Sequence, residues 1–595
     1  MTSLNLGVIG NCQSAALIDE KATIVWSCLP QLDGDPVFCR LLRKDDEREL
    51  PGFYEIELID FAHSEQRYLQ NTCILQTDLT DAHGATVRIT DFMPRYNYLG
   101  RTFRPMMLLR SLEPISGRPR VRIRLRPACS YGARACEVTS GSNHIRYVGQ
   151  QVTIRLTTDV ALTHIREEAS FVLDRPRYLV LGPDESVREG PGDAFHNHYR
   201  ATRDYWRAWT RGLSIPFEWQ QAVIRAAITL KLCTFEDTGA VIAAITTSIP
   251  EAAGSERNWD YRFCWLRDSF YVVNALNRLG ATRTMEGYLT YLANIAAEAD
   301  ASGLKPLYGI SGRSRIEETI VDTLSGYRGM GPVRIGNQAY EQIQHDVYGA
   351  VVMSAAHSFV DSRLIRVGSD AEFSQLEVVG EWARKNAEQP DAGLWEYRGR
   401  QRVHTYSSLM CWAACDRLAR IAEHIGKADR ARYWADAAEH IRRVIHDKAW
   451  DDEQQAFTES FGRPEMDASL LTMHDLGFIE ATDPRFVSTV ECIEKHLRRG
   501  QHMFRYAAAD DFGVPENAFN ICTFWYIDAL AAMGRHDEAR ELFENMLASR
   551  NHLGLLSEDI DPESGALWGN FPQTYSMAGI ITAAVRLSRA WEDAI

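Results

Sequence analysis

The stretch DAFHNHYRATRDYWRAWTRGL, residues 193–213, marks a change in the hydrophobic pattern of the chain. Its aromatic residues recur mostly at three- and four-residue spacing, which is typical of an amphipathic helix. They are Phe195, Tyr199, Tyr205, Trp206 and Trp209. The sequence before this stretch and the sequence after it follow different periods. We therefore predict a helical linker over residues 193–216 between two domains of different class.

Upstream of the linker, β-branched residues alternate with polar ones in short segments separated by Gly, Pro and Asp. The clearest segments are FYEIELIDF (53–61), TVRITDFMP (86–94), RVRIRLRPA (120–128), QVTIRLTTD (151–159) and RYLVLG (177–182). Period-two alternation is typical of antiparallel strands with one buried face. Several such strands at short spacing predict a β-sandwich over residues 1–192. Its third segment places Arg120, Arg122, Arg124 and Arg126 on one face, against solvent or another domain.

Downstream of the linker, helical periodicity dominates residues 217–595. The segments centre near residues 226, 273, 291, 352, 380, 414, 438, 468, 491, 527, 543 and 581. Twelve helices indicate six hairpins closed into an (α/α)6 barrel, with long loops at one end forming a pocket. An open α-solenoid is the alternative, but no fixed repeat of about 34–45 residues is visible. The predicted fold class is multidomain α+β, an N-terminal antiparallel β-sandwich followed by an (α/α)6 barrel.

The composition excludes several classes of partner. A formal net charge of −15 disfavours nucleic acid and anionic membrane surfaces, which both select basic patches. We find no run of about 20 apolar residues and no secretory leader pattern, so we expect a cytoplasmic protein without membrane contact. The 12 cysteines are scattered and form no zinc pattern, and we expect neither a metal nor a cofactor. A homo-oligomer is compatible with the sequence.

Two glutamates carry the strongest functional signal. Glu396 lies in AGLWEYRG and Glu558 in GLLSEDIDPESG. Two carboxyl groups on opposite sides of a sugar ring are sufficient to cleave a glycosidic bond, because one can protonate the leaving oxygen while the other activates water. The sequence therefore predicts a glycosidase site built from these two loops and an uncharged carbohydrate as the partner.

A third segment, RNWDYRFCWLRDSFYVVNAL (257–276), concentrates aromatic and charged residues ahead of an apolar helix. Arg267 and Asp268 supply a fork of donors and a strong acceptor, which together suit several sugar hydroxyls. Trp259 and Tyr261 are further candidates for contact with substrate. The alternative is structural, with Asp268 capping the helix and Arg267 paired to a nearby carboxylate.

Four other residues have both a functional and a structural interpretation. Arg328 and Arg334 lie in the Gly-rich segment GYRGMGPVRIGN (326–337), which we interpret as a pocket loop with these arginines in contact with substrate. His345 could touch substrate or begin a helix. His404, after the Glu396 loop, is expected to be a structural histidine.

Several of these segments resemble the bacterial branch of glycoside hydrolase family 15, which includes glucoamylases, glucodextranases and trehalases. They are TGAVIAAITTSIPE (238–251), NWDYRFCWLRDS (258–269), GLWEYRGRQRVHTYSSLMCWAACDRL (393–418) and LLSEDIDPESGALWGNFPQTYSMAG (555–579). The opening segment GNCQSAALIDEKATIVWSCLPQLDGDPVFCRLL (10–42) resembles the N-terminal sandwich domain of trehalase-like members. The chain departs from the polysaccharide-degrading members at NAFNIC (517–522), where those usually carry a tryptophan.

The resemblance implies inverting hydrolysis of α-glucosidic bonds, with Glu396 as general acid and Glu558 as general base. It also implies that Arg267 and Asp268 grip the sugar that is cleaved off, that Arg505 lies in the sugar subsites, and that Trp395 and Trp259 shape the pocket wall. Inversion requires room for a water, so we expect the two carboxyl groups about 6.5–9.5 Å apart. Apolar neighbours of Glu396 should raise its pKa, whereas the polar neighbours of Glu558 should favour its ionised form.

Among α-glucosides we favour α,α-trehalose, attacked at a chain end in a closed pocket to release glucose. A glucoamylase or oligosaccharide α-glucosidase acting on α-1,4 or α-1,6 bonds is the first alternative. A disaccharide phosphorylase and a non-catalytic sugar-binding protein rank lower, since phosphorolysis needs no general base and a binding protein needs neither carboxylate.

Overall fold

The computed structural model of the protein describes residues 2–298 and 303–593. Its N-terminal part contains two antiparallel sheets. The first consists of Gly7–Gly10, Ala15–Ile18, Ile24–Leu29, Asp35–Phe38, Phe53–Leu58, Arg120–Arg126 and Phe171–Val172. The second consists of Phe61–Tyr68, Leu75–Asp81, Thr86–Phe92, Leu108–Ser116, Glu137–Ser140, His144–Val148, Thr153–Thr158 and Arg177–Pro183. Both sheets contribute to one apolar core, so they pack face to face as the predicted β-sandwich.

Each of the five segments predicted as a strand contains a strand in the structure. Along Arg120–Arg126 the apolar residues are buried and the arginines alternate to the opposite face. There the Arg126 guanidinium lies 2.6 Å from the carboxylate of Glu168, and that of Arg122 lies 3.1 Å from Glu57. The basic face of this strand therefore carries ion pairs rather than an open anion site.

The helices of the described residues follow the predicted spacing closely. They are α1 (Leu162–Arg166), α2 (Pro191–Arg211), α3 (Gln220–Leu232), α4 (Leu266–Arg278), α5 (Thr282–Glu298), α6 (Asp346–Val360), α7 (Asp370–Asn386), α8 (Thr405–His424), α9 (Ala428–Lys448), α10 (Pro484–Leu497), α11 (Asn520–Ala532), α12 (His536–Ala548) and α13 (Thr574–Leu587). Helix α2 is the predicted linker helix, and its Trp206 is fully buried.

Helical elements after the linker alternate between an inner and an outer ring. The inner elements are α4, α6, α8, the 3-10 helix Ala468–Thr472, α11 and α13. Each packs against the next, and α13 packs against α4, which closes the ring. The outer elements α3, α5, α7, α9, α10 and α12 each pack on an inner neighbour. This arrangement is the predicted (α/α)6 barrel rather than an open solenoid.

One predicted helix has a different form. The segment centred near residue 468 is a short 3-10 helix, not an α-helix, although it occupies the expected inner position. The Asp467 carboxylate accepts from the backbone N–H of Ser469, only two residues on, and from the Trp395 indole N–H at 2.7 Å. Asp467 thus caps the start of the short helix and joins it to the loop of Glu396.

The loops that precede the inner helices carry most of the remaining secondary structure. Short paired strands of this part are Thr234–Phe235, Ala240–Val241, Cys264–Trp265, Leu307–Tyr308, Thr319–Ile320, Arg334–Ile335, Trp450–Asp451, Ala456–Phe457, Arg498–Arg499, His502–Met503, Ala518–Phe519, Asp559–Ile560 and Leu567–Trp568. The short paired strands of the sandwich are Tyr96–Tyr98, Arg101–Phe103, Ala128–Cys129 and Arg134–Ala135. Further 3-10 helices are Arg40–Leu42, Asp45–Glu47 and Gln338–Glu341.

Across residues 2–298 and 303–593, no helix combines the length and the apolar character needed to cross a bilayer.

Candidate active site

Loops at the N-terminal ends of the inner helices enclose a pocket of roughly 830 Å³, its open mouth included. Eight of the residues singled out in the sequence line this pocket: Trp259, Tyr261, Arg267, Asp268, Trp395, Glu396, Arg505 and Glu558. The lining runs from Ala243 to Tyr575, and within the described part of the chain it takes no residue from the β-sandwich. Folding thus brings together residues that are up to 332 positions apart (575 − 243).

Glu396 sits on a tight turn with a left-handed backbone, φ +61°. Such a conformation is uncommon for a residue other than glycine and costs free energy unless the surroundings enforce it. Gly393, φ +66°, makes the turn possible, since an added Cβ there would lie 2.8 Å from the His404 ring. The result is a half-buried carboxyl group held against the pocket.

One oxygen of Glu396 is fully engaged. Oε1 accepts hydrogen bonds from Trp265 Nε1 at 2.6 Å, from Gln344 Nε2 at 3.3 Å and from Arg267 Nη2 at 3.4 Å. In the described residues no side chain donates to Oε2. Three donors on Oε1 leave little room for a proton there, so the acid form must carry its proton on Oε2.

Glu558 is almost completely buried, with 1% of its surface exposed. Its Oε1 accepts from the Tyr261 hydroxyl at 2.6 Å, and its Oε2 lies 3.4 Å from the backbone N–H of Asn570. The backbone N–H of Asn520, at the start of α11, donates to the Glu558 carbonyl at 2.9 Å. This second carboxyl group is therefore fixed both at its backbone and at its side chain.

Two touching aromatic side chains connect the carboxyl groups. The Tyr261 ring, bonded to Glu558, lies edge-to-face with the Trp265 ring, bonded to Glu396, at a centroid separation of 5.3 Å. Both rings belong to one short segment before α4, so a single stretch of chain holds the two glutamates relative to each other. The separation of 6.5–9.5 Å expected between them stays a prediction.

The electrostatic setting of the two glutamates differs from the expectation. Burial raises the pKa of Glu558 to about 8, and the nearby Glu251 carboxylate adds to the rise. Glu396, expected in apolar surroundings, is the more exposed of the two and faces the Arg267 guanidinium at 3.4 Å. For Glu558 the expectation was wrong, because its polar chain neighbours do not decide what surrounds the side chain after folding.

The pocket contains polar groups that lack a partner. Within the described residues, Arg267 Nε, Arg505 Nε and the Tyr575 hydroxyl are buried without a hydrogen bond. Burial also raises the pKa of Asp268, whose carboxylate lines the same pocket, to about 7. Unpaired buried polar groups are costly. A polyhydroxylated ligand, whose hydroxyls both donate and accept, is chemically suited to a pocket lined by such groups.

The contacts of Arg267 agree with both roles predicted for it, a structural ion pair and a position in the substrate pocket. Its Nη1 donates to Asp346 and to Gln344, each at 2.9 Å, which anchors the guanidinium to α6. It nevertheless lines the pocket and reaches Glu396. Asp268 is the third residue of α4 rather than its N-cap, so the predicted capping role does not apply.

Some lining residues were not found from the sequence. Glu251 pairs with Arg505, Tyr575 offers its hydroxyl, and Arg398 lies over Trp259 at 4.2 Å beside Phe512. Glu251 and Tyr575 lie inside the segments that carry the family resemblance, which was the available signal. Arg398 also lies inside such a segment, residues 393–418, whereas Phe512 belongs to an irregular loop whose sequence shows no pattern.

The two arginines predicted as substrate contacts were placed wrongly. Arg334 pairs with Glu318 at 2.9 Å, and Arg328 donates to the carbonyl of Thr2 at 2.7 Å, so among the described residues neither lines the pocket.

The two histidines considered in the sequence have structural positions. His345 precedes α6 as its N-cap. His404 packs under the Glu396 turn and lies 2.9 Å from Glu459, which confirms its structural role. Over the described residues, no group of His, Cys, Asp and Glu side chains could hold a metal ion.

Comparison with known proteins gives consistent matches. Residues 219–585 match Glycosyl hydrolases family 15, and residues 4–172 match the domain Trehalase-like, N-terminal. A trehalase of Thermoplasma volcanium is 32% identical over 603 residues, which cover 98% of this chain and 93% of the relative. A trehalase of Mycobacterium tuberculosis is 30% identical, covering 98% and 89%. A bacterial glucoamylase solved with acarbose shares the fold at a TM-score of 0.71 and 14% identity, covering 98% and 93%.

Proposed function

The chain belongs to glycosyl hydrolases family 15 and is a glycoside hydrolase, and on this basis we propose that it cleaves α,α-trehalose into two glucose molecules with inversion. The relatives named trehalase align along nearly the whole chain, including the N-terminal domain. One observation carries the chemistry: two glutamates line one pocket, each bonded to one member of the touching Tyr261–Trp265 pair.

In the proposed reaction Glu396 is the general acid. Its Oε2 carries the proton, because Oε1 already accepts three hydrogen bonds. Transfer of this proton to the glycosidic oxygen lets one glucose leave as a neutral alcohol. The Arg267 guanidinium beside Oε1 then stabilises the carboxylate that remains.

Glu558 is the proposed general base. It removes a proton from a water that attacks the anomeric carbon from the face opposite to the leaving oxygen. The new C–O bond forms as the glycosidic bond breaks, so the attacked glucose is released as the β-anomer. Tyr261 donates to Glu558 Oε1 at 2.6 Å, and the Asn570 backbone N–H lies 3.4 Å from Oε2, so both carboxyl oxygens are held in place.

The polar groups of the pocket floor are chemically suited to the hydroxyls of a single glucose ring. We propose that Arg267 and Asp268 grip adjacent hydroxyls of the ring that is attacked, with Arg505 contributing a further donor. The indole of Trp395, held by its hydrogen bond to Asp467, offers an apolar face. Trp259, which lies beside Arg398, offers another. Aromatic faces pack well on the apolar side of a pyranose.

The base must be ionised in spite of its burial. Three carboxyl groups, Glu251, Glu558 and Asp559, share the Arg505 guanidinium. Burial raises the pKa of Asp559 well above its usual range, with Glu251 and Glu558 adding to the rise, and in the described residues its Oδ2 has no hydrogen-bond partner. We propose that, once substrate and the attacking water are bound, the proton shared by this cluster resides on Asp559, which leaves Glu558 as the charged member of the pair.

Replacement of Glu251 by glutamine is expected to move the acidic limb of kcat/KM to lower pH. Glu251 raises the pKa of Glu558 by its negative charge, and a base works only when deprotonated. Removal of that charge therefore lets Glu558 ionise at lower pH, and the rate persists further into the acidic range. The measurement is the pH dependence of kcat/KM for trehalose between pH 4 and 9.

Glu256 provides the matched control for this experiment. It lies on the same loop but is exposed and does not line the catalytic pocket. Glu256→Gln should leave the acidic limb where it is in the unmodified enzyme. An unmoved limb in Glu251→Gln, or a limb moved to higher pH, would contradict the assignment of Glu558 as the base that this limb reports.

The proposed function is tested by NMR of the sugar released at early times from trehalose. Inversion at one of the two anomeric centres yields α- and β-glucose in equal amounts before mutarotation, since the leaving glucose keeps its α-configuration. Two equivalents of α-glucose would show retention and exclude the proposed roles. Release of glucose 1-phosphate in phosphate buffer would instead show a phosphorylase.

The substrate is settled by rates on trehalose, maltose, isomaltose and maltotriose measured side by side. We expect kcat/KM for trehalose to exceed that for each of the other three. Negligible turnover of trehalose with rapid turnover of maltose or maltotriose would replace the proposal by a glucoamylase-type activity on the same site.

A further inference from the structure

A short extended segment, residues 259–265, presents two different faces. We name it the strap. Trp259, Tyr261 and Trp265 face the pocket, and the latter two donate to the catalytic carboxyl groups. Asp260 and Arg262, at alternate positions, are fully buried on the other side. Period-two alternation of this kind is expected for extended chain, and it separates the functional face from the anchored face.

The anchored face is held by the β-sandwich. Arg262 donates from Nη1 to the carbonyl of Gly34 at 2.8 Å and from Nη2 to the hydroxyl of Tyr131 at 3.1 Å. Its Nε and Nη2 also form a two-point ion pair with Asp260, at 2.9 and 2.7 Å. Four hydrogen bonds from one guanidinium thus lie at the joint between the strap and the sandwich.

Neighbouring contacts bind the same joint from both sides. Trp26 of the sandwich donates its indole N–H to the carbonyl of Ile245 at 2.9 Å. The adjacent Ala244 donates its backbone N–H to the Tyr261 carbonyl at 2.9 Å. The Asp260 carboxylate also accepts from the backbone N–H of Gly336 at 3.2 Å. The backbone of Tyr261, whose hydroxyl holds Glu558, is therefore linked through Ala244 and Ile245 to Trp26 of the β-sandwich.

We infer that the β-sandwich is part of the catalytic apparatus, with Arg262 and Tyr131 as positioning residues that set Tyr261 and Trp265 against Glu558 and Glu396. The inference rests on the proposed function, since it takes these glutamates as the acid and the base. The sandwich lines no part of the pocket among the described residues, so its contribution passes through the strap rather than through substrate contact.

Lysine at position 262 removes the anchor without removing its charge. An ammonium can pair with Asp260, but it lacks the planar fork that reaches Gly34 and Tyr131 at the same time. A displacement of about 1 Å at a catalytic group costs on the order of 10²-fold in rate. We expect Arg262→Lys to lower kcat for trehalose by about 10- to 100-fold with KM changed by less than about threefold.

Arg110→Lys is the matched control. Arg110 is also fully buried in the sandwich, forms a two-point ion pair with Asp91 at 2.7 and 3.1 Å, and donates to the Tyr54 carbonyl at 3.0 Å. It has no contact with the strap. We expect this variant to lower the melting temperature of the protein while kcat at 25 °C stays within about twofold of the unmodified value.

A pH profile separates positioning from general loss of stability. The groups that face Glu558 are Glu251, Tyr261, Arg505 and Asp559. Of these, Arg262→Lys loosens only Tyr261, whose hydrogen bond lowers the pKa of Glu558. In Arg262→Lys the acidic limb of kcat/KM should therefore move to higher pH, in the same direction as in Tyr261→Phe. The double variant Arg262→Lys/Tyr261→Phe should move the limb no further than Tyr261→Phe alone. Arg110→Lys should leave the limb unchanged.

Tyr131→Phe keeps the test decisive if Arg262→Lys does not fold, because it removes a single hydroxyl. We expect about a 3- to 10-fold lower kcat and a limb moved in the same direction. Unmodified kcat and pH profile in a folded Arg262→Lys, or in Tyr131→Phe, would overturn the inference, as would an equal loss of kcat in Arg110→Lys. Glu558→Gln is assayed in the same experiment, because its activity tests the proposed function and does not depend on the strap. Failure of the proposed function can thereby be distinguished from failure of the inference about the strap.

Discussion

Glu558→Gln is expected to lower kcat for trehalose by about 10²–10⁴-fold while KM changes little. The amide is nearly isosteric with the carboxyl group and can still accept from Tyr261 through its oxygen, so the pocket keeps its shape. It cannot remove a proton from water, which is the only step lost. Initial rates and KM at the pH optimum, with glucose release measured by a coupled assay, check the prediction.

The same loop supplies the control. Glu563 is exposed, five residues from Glu558, and Glu563→Gln should retain full activity. Hydrolysis by Glu558→Gln within about tenfold of the unmodified rate would show that Glu558 is not the base. Of the carboxyl groups near it, Glu251 and Asp559 would then be the next candidates, and the rates of Glu251→Gln and Asp559→Asn would decide between them.

Glu558→Gln should lower activity but raise the thermal stability of the protein at alkaline pH. The pKa of Glu558 in the folded protein, about 8, lies above its ordinary value of 4.5. Between these values the unfolded chain is ionised while the folded chain still binds the proton, so the free energy of unfolding falls as pH rises from 4.5 towards 8. Glutamine has no such ionisation. Glu558→Gln should therefore melt higher than the unmodified protein at pH 8 and at a similar temperature at pH 4.

The sequence predicted the fold well because the fold follows from periodicity. Strands such as Arg120–Arg126 alternate between core and surface, and helices such as α12 present an apolar stripe, so each segment carries its own signal. The segment near residue 468 escaped this reasoning, since the pattern of a short apolar run does not distinguish a five-residue 3-10 helix from a longer α-helix. The sandwich itself was predicted, but its anchor on Arg262 was not.

The site was predicted in part, for a different physical reason. The residues that line the pocket were found through local composition and resemblance, and they do meet in space. Their electrostatics could not be predicted, because the pKa of Glu558 depends on burial and on Glu251, more than 300 positions earlier in the chain. The assignment of Arg334 to the pocket failed similarly, since its partner Glu318 immediately precedes the strand Thr319–Ile320, which pairs with Arg334–Ile335.

Which of the two glutamates protonates the leaving group can be decided with a substrate that needs no protonation. Glu396→Gln is expected to lower kcat for trehalose by about 10²–10⁴-fold, because a sugar alkoxide leaves slowly without an acid. Its amide oxygen can still accept from Trp265 and Arg267, which preserves the turn at φ +61°. Fluoride leaves readily as an anion, so the same variant should hydrolyse α-glucosyl fluoride within about tenfold of the unmodified enzyme.

Glu558→Gln should fail on both substrates, since water must be activated whichever group departs. This contrast between the two variants tests the assignment directly, and it is independent of the pKa order in the empty pocket, where burial favours a proton on Glu558. Activity of Glu558→Gln on the fluoride together with inactivity of Glu396→Gln would exchange the two roles. Parallel loss on both substrates in both variants would instead mean that Glu396 acts before bond cleavage, by holding Arg267 in the geometry that binds the sugar.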